Sequence, residues 1–319
     1  MASNQFSSGD VIVDRRADYA RMLAESGDPA AASELMVQAL DLAPSWTAGW
    51  FRLGEYHEKA GDKEGAVSAY QQVVTLDFEG IFAASLKLAV LGALETPDQP
   101  PSRYVEELFD EYAVRFETAL VEKLDYSVPA ELAALIEKNA TCSIFRDAVD
   151  IGCGTGLFGV EIRHMAEKLE GFDISSNMLC KADEKGIYDY LGQADLAFAA
   201  EESALFSDML PRNRADLVAA ADVLIYLGRL ETVFDLAATL LTREGMFAFS
   251  VEDAGNEVGF VLRPSLRYAH SFDYVAELLK EKGFNLLEST RTTIRMEAGK
   301  PISGILFVAR KVARTTSFA

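Results

Sequence analysis

The sequence predicts an α/β fold, a mainly parallel sheet, preceded by an all-helical segment, and three observations carry that reading. From Phe145 onward, apolar runs of strand length alternate with stretches of helical periodicity, the pattern of βα units. The first of these strands, F-R-D-A-V-D-I, passes into the closely spaced glycines Gly152, Gly154 and Gly156 and then into a helix-like pattern. Before it, the chain repeats itself at a spacing of 34 residues, pairing Gly27 with Gly61, Ala32 with Ala66 and Leu42 with Leu76, a period that belongs to stacked helical hairpins.

Taken in order, residues 1–12 are polar and Gly/Ser-containing and are expected to form a loose tail. Residues 13–97 hold the repeat. Its second copy, W-F-R-L-G-E-Y-H-E-K-A-G-D-K-E-G-A-V-S-A-Y, resembles a tetratricopeptide repeat, with Trp50, Leu53, Gly54, Ala66 and Tyr70 at the signature positions. The first copy is weaker, with Arg16 where the tryptophan would stand. A third helix, F-E-G-I-F-A-A-S-L-K-L-A-V-L-G-A-L, is cut off by T-P-D-Q-P-P before a further unit can form. So short an array should lean on a capping helix or on the next domain. Residues 98–140 are expected to be linker and cap helices: Ser102 is a candidate N-cap, and Val105, Leu108, Phe109, Tyr112 and Phe116 share one helical face. Plain packing accounts for that face. L-F-D-E-Y-A-V-R-F-E with L-D-Y-S-V-P-A-E-L is also similar to the cap of a group of bacterial methyltransferases that carry tetratricopeptide repeats, and that likeness implies Tyr112 or Phe116 as a lid.

The glycine loop marks a small-molecule site, because glycines permit positive φ and close approach while the N–H groups of the new helix face a ligand. Gly154, Gly156 and Gly159 form a G-x-G-x-x-G, with Asp173 nineteen residues after Gly154, which alone would pass for a dinucleotide fingerprint. Asp150 argues against a pyrophosphate beside it and suits a cationic sulfonium. V-D-I-G-C-G-T-G resembles motif I of the class I methyltransferases that use S-adenosylmethionine. The resemblance covers residues 102–312 and implies a seven-stranded Rossmann-like sheet over 141–319, closed by an antiparallel hairpin formed by F-N-L-L-E-S-T-R-T-T-I-R and G-I-L-F-V-A-R-K.

The same likeness implies the cofactor contacts. Asp150, Gly152, Cys153, Gly154 and Gly156 form the loop. Asp173, at the end of a second strand L-E-G-F-D-I, would accept hydrogen bonds from the ribose hydroxyls, beside Ile174, with Met178 against adenine. Asp195, after a third strand, would accept the adenine amino group with Leu196 donating from its backbone; a solvated loop acid is the plainer account of Asp195. Ala220 and Ala221, at the exit of a fourth strand, would border the methionine part.

Composition limits the alternatives. Of 319 residues, 50% are hydrophobic, enough for a packed core and about two domains. A net charge of −20 opposes binding to nucleic acid or an anionic membrane, both of which need Lys and Arg to neutralise phosphate. The three cysteines fit a reducing compartment, no apolar run is long enough to span a bilayer, and the first ten residues lack signal-peptide features, so a cytoplasmic location is expected.

Displacement at a sulfonium has an excellent leaving group, so alignment and exclusion of water matter more than a fixed catalytic signature. Candidate bases or substrate anchors are His270, Tyr226, Tyr268 and Asp222, with a plain helix cap as the other account of His270. His57 and His164 are expected to be structural, and no metal site is expected. The favoured reading is a methyltransferase acting on a small molecule or a protein side chain, its repeat arm contacting a partner or the substrate. A repeat adaptor with a degenerate cofactor fold and an NAD-dependent oxidoreductase are the other two; Asp150 and the closing hairpin oppose the last.

Overall fold

The computed structural model describes residues 7–113, 126–297 and 299–312. It divides into two compact units, Met1–Tyr104 with Pro264–Leu266, and Val105–Arg263 with Arg267–Ala319.

In the first unit the helices are α1 (Val11–Glu25), α2 (Pro29–Leu40), α3 (Thr47–Ala60), α4 (Lys63–Leu76) and α5 (Ala84–Val90). Aspartates start three of them: Asp10 accepts the N–H groups of Ile12 and Val13, Asp28 that of Ala31, and Asp62 that of Gly65, which satisfies amides that have no partner within the helix. Ala20, Ala32, Ala39 and Ala66 are fully buried, so neighbouring helices approach over small side chains. At Gly54 the approach is close enough that an added Cβ would lie 2.5 Å from a Tyr70 ring carbon. Gly54→Ala is therefore expected to overpack the repeat and lower stability by about 1–3 kcal/mol; an unchanged melting temperature would show that the ring can yield. The third helix is much shorter than predicted. Asp77 accepts the N–H groups of both Gly80 and Phe82 and folds that stretch into turns, and Ala83 takes a left-handed φ of 53°.

The second unit contains most of α6 (Ser102–Tyr112), then α7 (Val128–Asn139), β1 (Phe145–Ile151), α8 (Leu157–Ile162), β2 (Ala166–Asp173), α9 (Ser176–Asp183), β3 (Tyr190–Gln193), β4 (Ala215–Ala220), α10 (Glu231–Leu240), β5 (Leu241–Asp253), β6 (Phe260–Leu262), β7 (Tyr268–His270), α11 (Phe272–Glu281), β8 (Phe284–Glu297) and β9 (Lys300–Lys311). The sheet runs β3-β2-β1-β4-β5, all parallel, and continues through β9 and then β8, both antiparallel to their neighbours. These seven strands and their closing hairpin are what the sequence led us to expect, and β6 and β7 bring the described sheet to nine strands. Alternate residues of the central strands face opposite layers: Val149, Ile151, Val218, Phe247 and Phe249 pack with α10 and α11, whereas Ala148, Leu217, Ala219 and Ala248 pack with α7 and α8.

The helix after the glycine loop is short. It ends at Ile162, a single 3-10 turn follows, and β2 begins at Ala166. After β5, β6 and β7 form a hairpin whose second strand pairs in parallel with Glu252 and Asp253 of β5. Glu252 also pairs with Gly304 of β9, so β7 must occupy the opposite edge of β5, the edge that β4 uses lower down. The hairpin thus extends the sheet beyond the carboxyl end of β4.

Candidate cofactor and acceptor site

The glycine loop lies at the carboxyl end of β1, where sheets of this order hold their ligand crevice. Gly152, Gly154 and Gly156 have φ of 73°, 54° and 88°, the left-handed region that side chains disfavour. The N–H groups of Gly152 and Cys153 donate to the Phe172 carbonyl at 2.7 and 2.9 Å, which ties the loop to the tip of β2. Asp173 completes the junction: one carboxylate oxygen accepts Gly154 N–H at 2.8 Å, the other Ser175 N–H at 2.9 Å.

Asp150 points to the α8 side, beneath the loop. It is fully buried, accepts the Tyr188 hydroxyl at 2.7 Å through Oδ2, and its Oδ1 has no partner. Burial pushes its carboxyl up to about 7, the Tyr188 bond opposing and the Asp173 charge adding to the rise. Burial also raises Asp173 to about 6, against the backbone bonds from Ser175 and Gly154. The Cys153 thiol is pushed well above its ordinary value by burial and the same two acids, so it is not a reactive thiolate. Tyr188 was missed in the sequence. Its ring occupies the space that side chains at Gly156, Gly159 and Gly171 would need, so those glycines serve the tyrosine as well as a ligand. The signal was the tyrosine two residues after Gly186, just before β3.

At the tip of β2, Ile174 is partly exposed, while Met178 is fully buried and its N–H is taken by Ser175 Oγ. As placed, Met178 presents no accessible surface, and the same is true of Ala220. Asp195 is partly exposed and accepts Ala197 N–H through Oδ1; Leu196 beside it is buried. Ala220 is buried and Ala221 partly so, at the exit of β4.

Beyond Ala221 the acceptor-side candidates separate. Asp222 has a φ of 57°, rare for a residue with a side chain, and its N–H donates to Ser250 Oγ at 2.7 Å. Its carboxylate receives Arg295 Nη1 at 3.3 Å, and burial raises it to about 6 while Arg295 and Arg267 oppose. Tyr226 accepts Arg267 Nε at 3.4 Å and meets the Phe109 ring edge-on at 4.9 Å. Tyr126 stands among Asp222, Arg295, Asp150 and Tyr226, which all act on its phenol; burial raises that phenol well above its ordinary value.

His270 and Tyr268, in contrast, are fully buried on β7. The His270 Nε2 faces the carbonyls of Leu227 and Gly228 at 3.0 and 2.9 Å, its ring stacks on Tyr274, and burial lowers it to about 4. That geometry makes it a neutral donor clamping the loop after β4. It carries no proton to a substrate in this position, and the helix cap is Ser271, whose Oγ accepts Tyr274 N–H, so both accounts of His270 are corrected. Tyr112 lies on α6 and is partly exposed; Phe116 falls outside the described residues. His57 pairs with Asp62 and His164 with Glu137. Among the described residues no group of three or more His, Cys, Asp or Glu is placed to hold a metal ion, and no helix is long and apolar enough to cross a membrane.

The buried acids predict a pH dependence of folding. Asp150, Asp173 and Asp222 keep protons in the folded chain that the unfolded chain releases near pH 4, so their contribution to stability is lost as pH rises through 6–7. His270, neutral when folded, opposes one of the three below about pH 6.5. The ligand-free protein is therefore expected to lose stability between pH 5 and 7, at about 1.4 kcal/mol per pH unit for each net proton. Thermal melts across that window check the sign; a melting temperature that rises from pH 5 to 7 would contradict it.

Residues 147–286 match the family model described as a methyltransferase domain, and residues 48–79 match a tetratricopeptide repeat. No curated protein matches the chain. Among solved structures, an S-adenosylmethionine-dependent methyltransferase from Methanosarcina mazei is 16% identical, covering 56% of this chain and 97% of its own, with a TM-score of 0.45. One from Mesorhizobium loti is 22% identical, with coverage of 57% and 98% and a TM-score of 0.44. Magnesium protoporphyrin IX methyltransferase from Synechocystis is 17% identical, with coverage of 57% and 81% and a TM-score of 0.43.

Proposed function

We propose that this chain, which carries a methyltransferase domain and a tetratricopeptide repeat, moves the methyl group of S-adenosylmethionine to a small molecule or a protein side chain. The observation that carries the reading is the junction of the glycine loop with Asp173 above the buried Asp150. The residues fit that cofactor better than a dinucleotide. Three carboxyls, Asp150, Asp173 and Asp222, gather at the carboxyl ends of β1, β2 and β4, and Asp150 keeps an oxygen without a partner. Such a set attracts a cation and repels a pyrophosphate.

When bound, S-adenosylmethionine supplies a methyl on a positively charged sulfur. In this reading Asp173 receives the ribose hydroxyls, Asp195 and Leu196 border adenine, and Ala220 and Ala221 border the methionine part. Asp222, with a carboxyl near 6, takes the proton of an acceptor that must lose one, while Tyr226 and Tyr126 help to exclude water. The repeat offers a surface for a protein partner. Isothermal titration with S-adenosylmethionine and with NAD, followed by transfer of labelled methyl into fractionated extracts, tests the assignment. Affinity for NAD alone would overturn it.

A further inference from the structure

We propose that Asp110 is a positioning residue that latches α6 across the glycine loop, making that helix a lid over the cofactor cleft; the proposal rests on the cofactor reading above. The Asp110 carboxylate accepts Ser175 Oγ–H at 2.5 Å and Asn177 N–H at 3.2 Å through the same oxygen, and its backbone carbonyl accepts Asn177 Nδ2 at 3.1 Å. Ser175 is the N-cap of α9 and donates its own N–H to Asp173. Asp110 therefore caps α9 from another helix and reaches Asp173 through a single residue.

One turn earlier, Glu106 accepts Gln193 Nε2 at 3.2 Å, and that same nitrogen donates to the Ile174 carbonyl at 2.8 Å. Glu106 and Asp110 are four residues apart, so both lie on one side of α6, and together they grip the tips of β2 and β3. Phe109, between them in sequence, sets its ring against Tyr226 after β4. The sheet order is β3-β2-β1-β4. With Glu106 and Asp110 at the tips of β2 and β3 and the Phe109 ring on Tyr226 beyond β4, the contacts of α6 flank the carboxyl end of β1, where the glycine loop lies. Cofactor entry and release then require the latch to open, and a docked helix joins the Asp173 side of the cleft to the acceptor side at Tyr226.

A simple structural cap would lower stability and leave ligand exchange alone, or speed release only. A latch slows both directions, so its loss accelerates association as well as dissociation. Exchange kinetics of S-adenosylhomocysteine on the full-length chain, read by surface plasmon resonance alongside amide hydrogen exchange of α6, separate the two. In a folded Asp110→Ala variant both rate constants are expected to rise, dissociation by about tenfold or more for two lost charge-assisted bonds, and α6 amides to exchange faster. Asp110→Asn retains an acceptor oxygen and should stay within about threefold of wild type. Unchanged rate constants and unchanged α6 exchange in Asp110→Ala would overturn the latch. A wild-type chain that binds no S-adenosylhomocysteine, while Asp110→Ala still accelerates α6 exchange, would overturn the cofactor reading and leave α6 latched over an unassigned cleft.

Discussion

Asp173→Ala is expected to weaken S-adenosylmethionine binding by at least about tenfold, since each charge-assisted hydrogen bond to the ribose is worth roughly 1.5–3 kcal/mol. The loss has two sources. The carboxylate receives the N–H groups of Gly154 and Ser175, so its removal unpins the glycine loop from the start of α9 before any ligand arrives. It also removes the acceptor proposed for the ribose hydroxyls. Asp173→Asn separates them, because an amide oxygen can still accept one backbone N–H while its amino group opposes the other. Isothermal titration on both variants, each with a melting curve to show folding, checks the ordering wild type, then Asn, then Ala. An affinity within threefold of wild type in Asp173→Ala would place the ribose elsewhere.

The sheet was legible because its signals are local and repeated. Apolar strands alternated with helical periodicity, and the glycine spacing fixed where β1 ended. Asp150 and Asp173 could be found because each stands at the carboxyl end of an apolar run, where an acid is conspicuous. Tyr188 and Asp110 could not, since they act through contacts with residues 38 and 65 positions away. Asp110 also lies outside the apolar stripe that periodicity brings out, and the family likeness points to Tyr112 and Phe116 as lid residues instead. The helical face that includes Phe109 was visible, but not which of its rings meets Tyr226. His270 misled for a related reason. One histidine among three, placed between a strand and a helix, attracts a catalytic role, whereas the β6–β7 hairpin that carries it has strands of only 3 residues, too short to show an alternation although Pro264 and Ser265 mark its turn. The buried arginine of β8 was passed over as part of a closing strand, although a charge within an apolar alternation is itself a sign of a paired interior.

Arg295→Met is expected to be the most destabilising of these substitutions. Arg295 is 2% exposed, its Nη2 donates to Glu252 at 2.7 Å, and its Nη1 reaches Asp222 at 3.3 Å. Removing the cation leaves two carboxylates in a site with little water, and breaking a buried pair in this way costs about 3–5 kcal/mol. The cost belongs to the stranded acids and not to any large net attraction, so Arg295→Met with Glu252→Gln should recover much of it. Transfer activity should not recover in parallel. Asp222 would still lack the guanidinium that holds its carboxylate, and losing that neighbouring charge moves its carboxyl further up from about 6. The acid limb of the pH–rate profile for a deprotonated base would then shift to higher pH. Denaturant melts of the single and double variants, with a pH profile once an acceptor is known, test both parts. Full recovery of activity together with stability would reduce Arg295 to a packing element and remove the case for Asp222 as the group that receives the acceptor's proton.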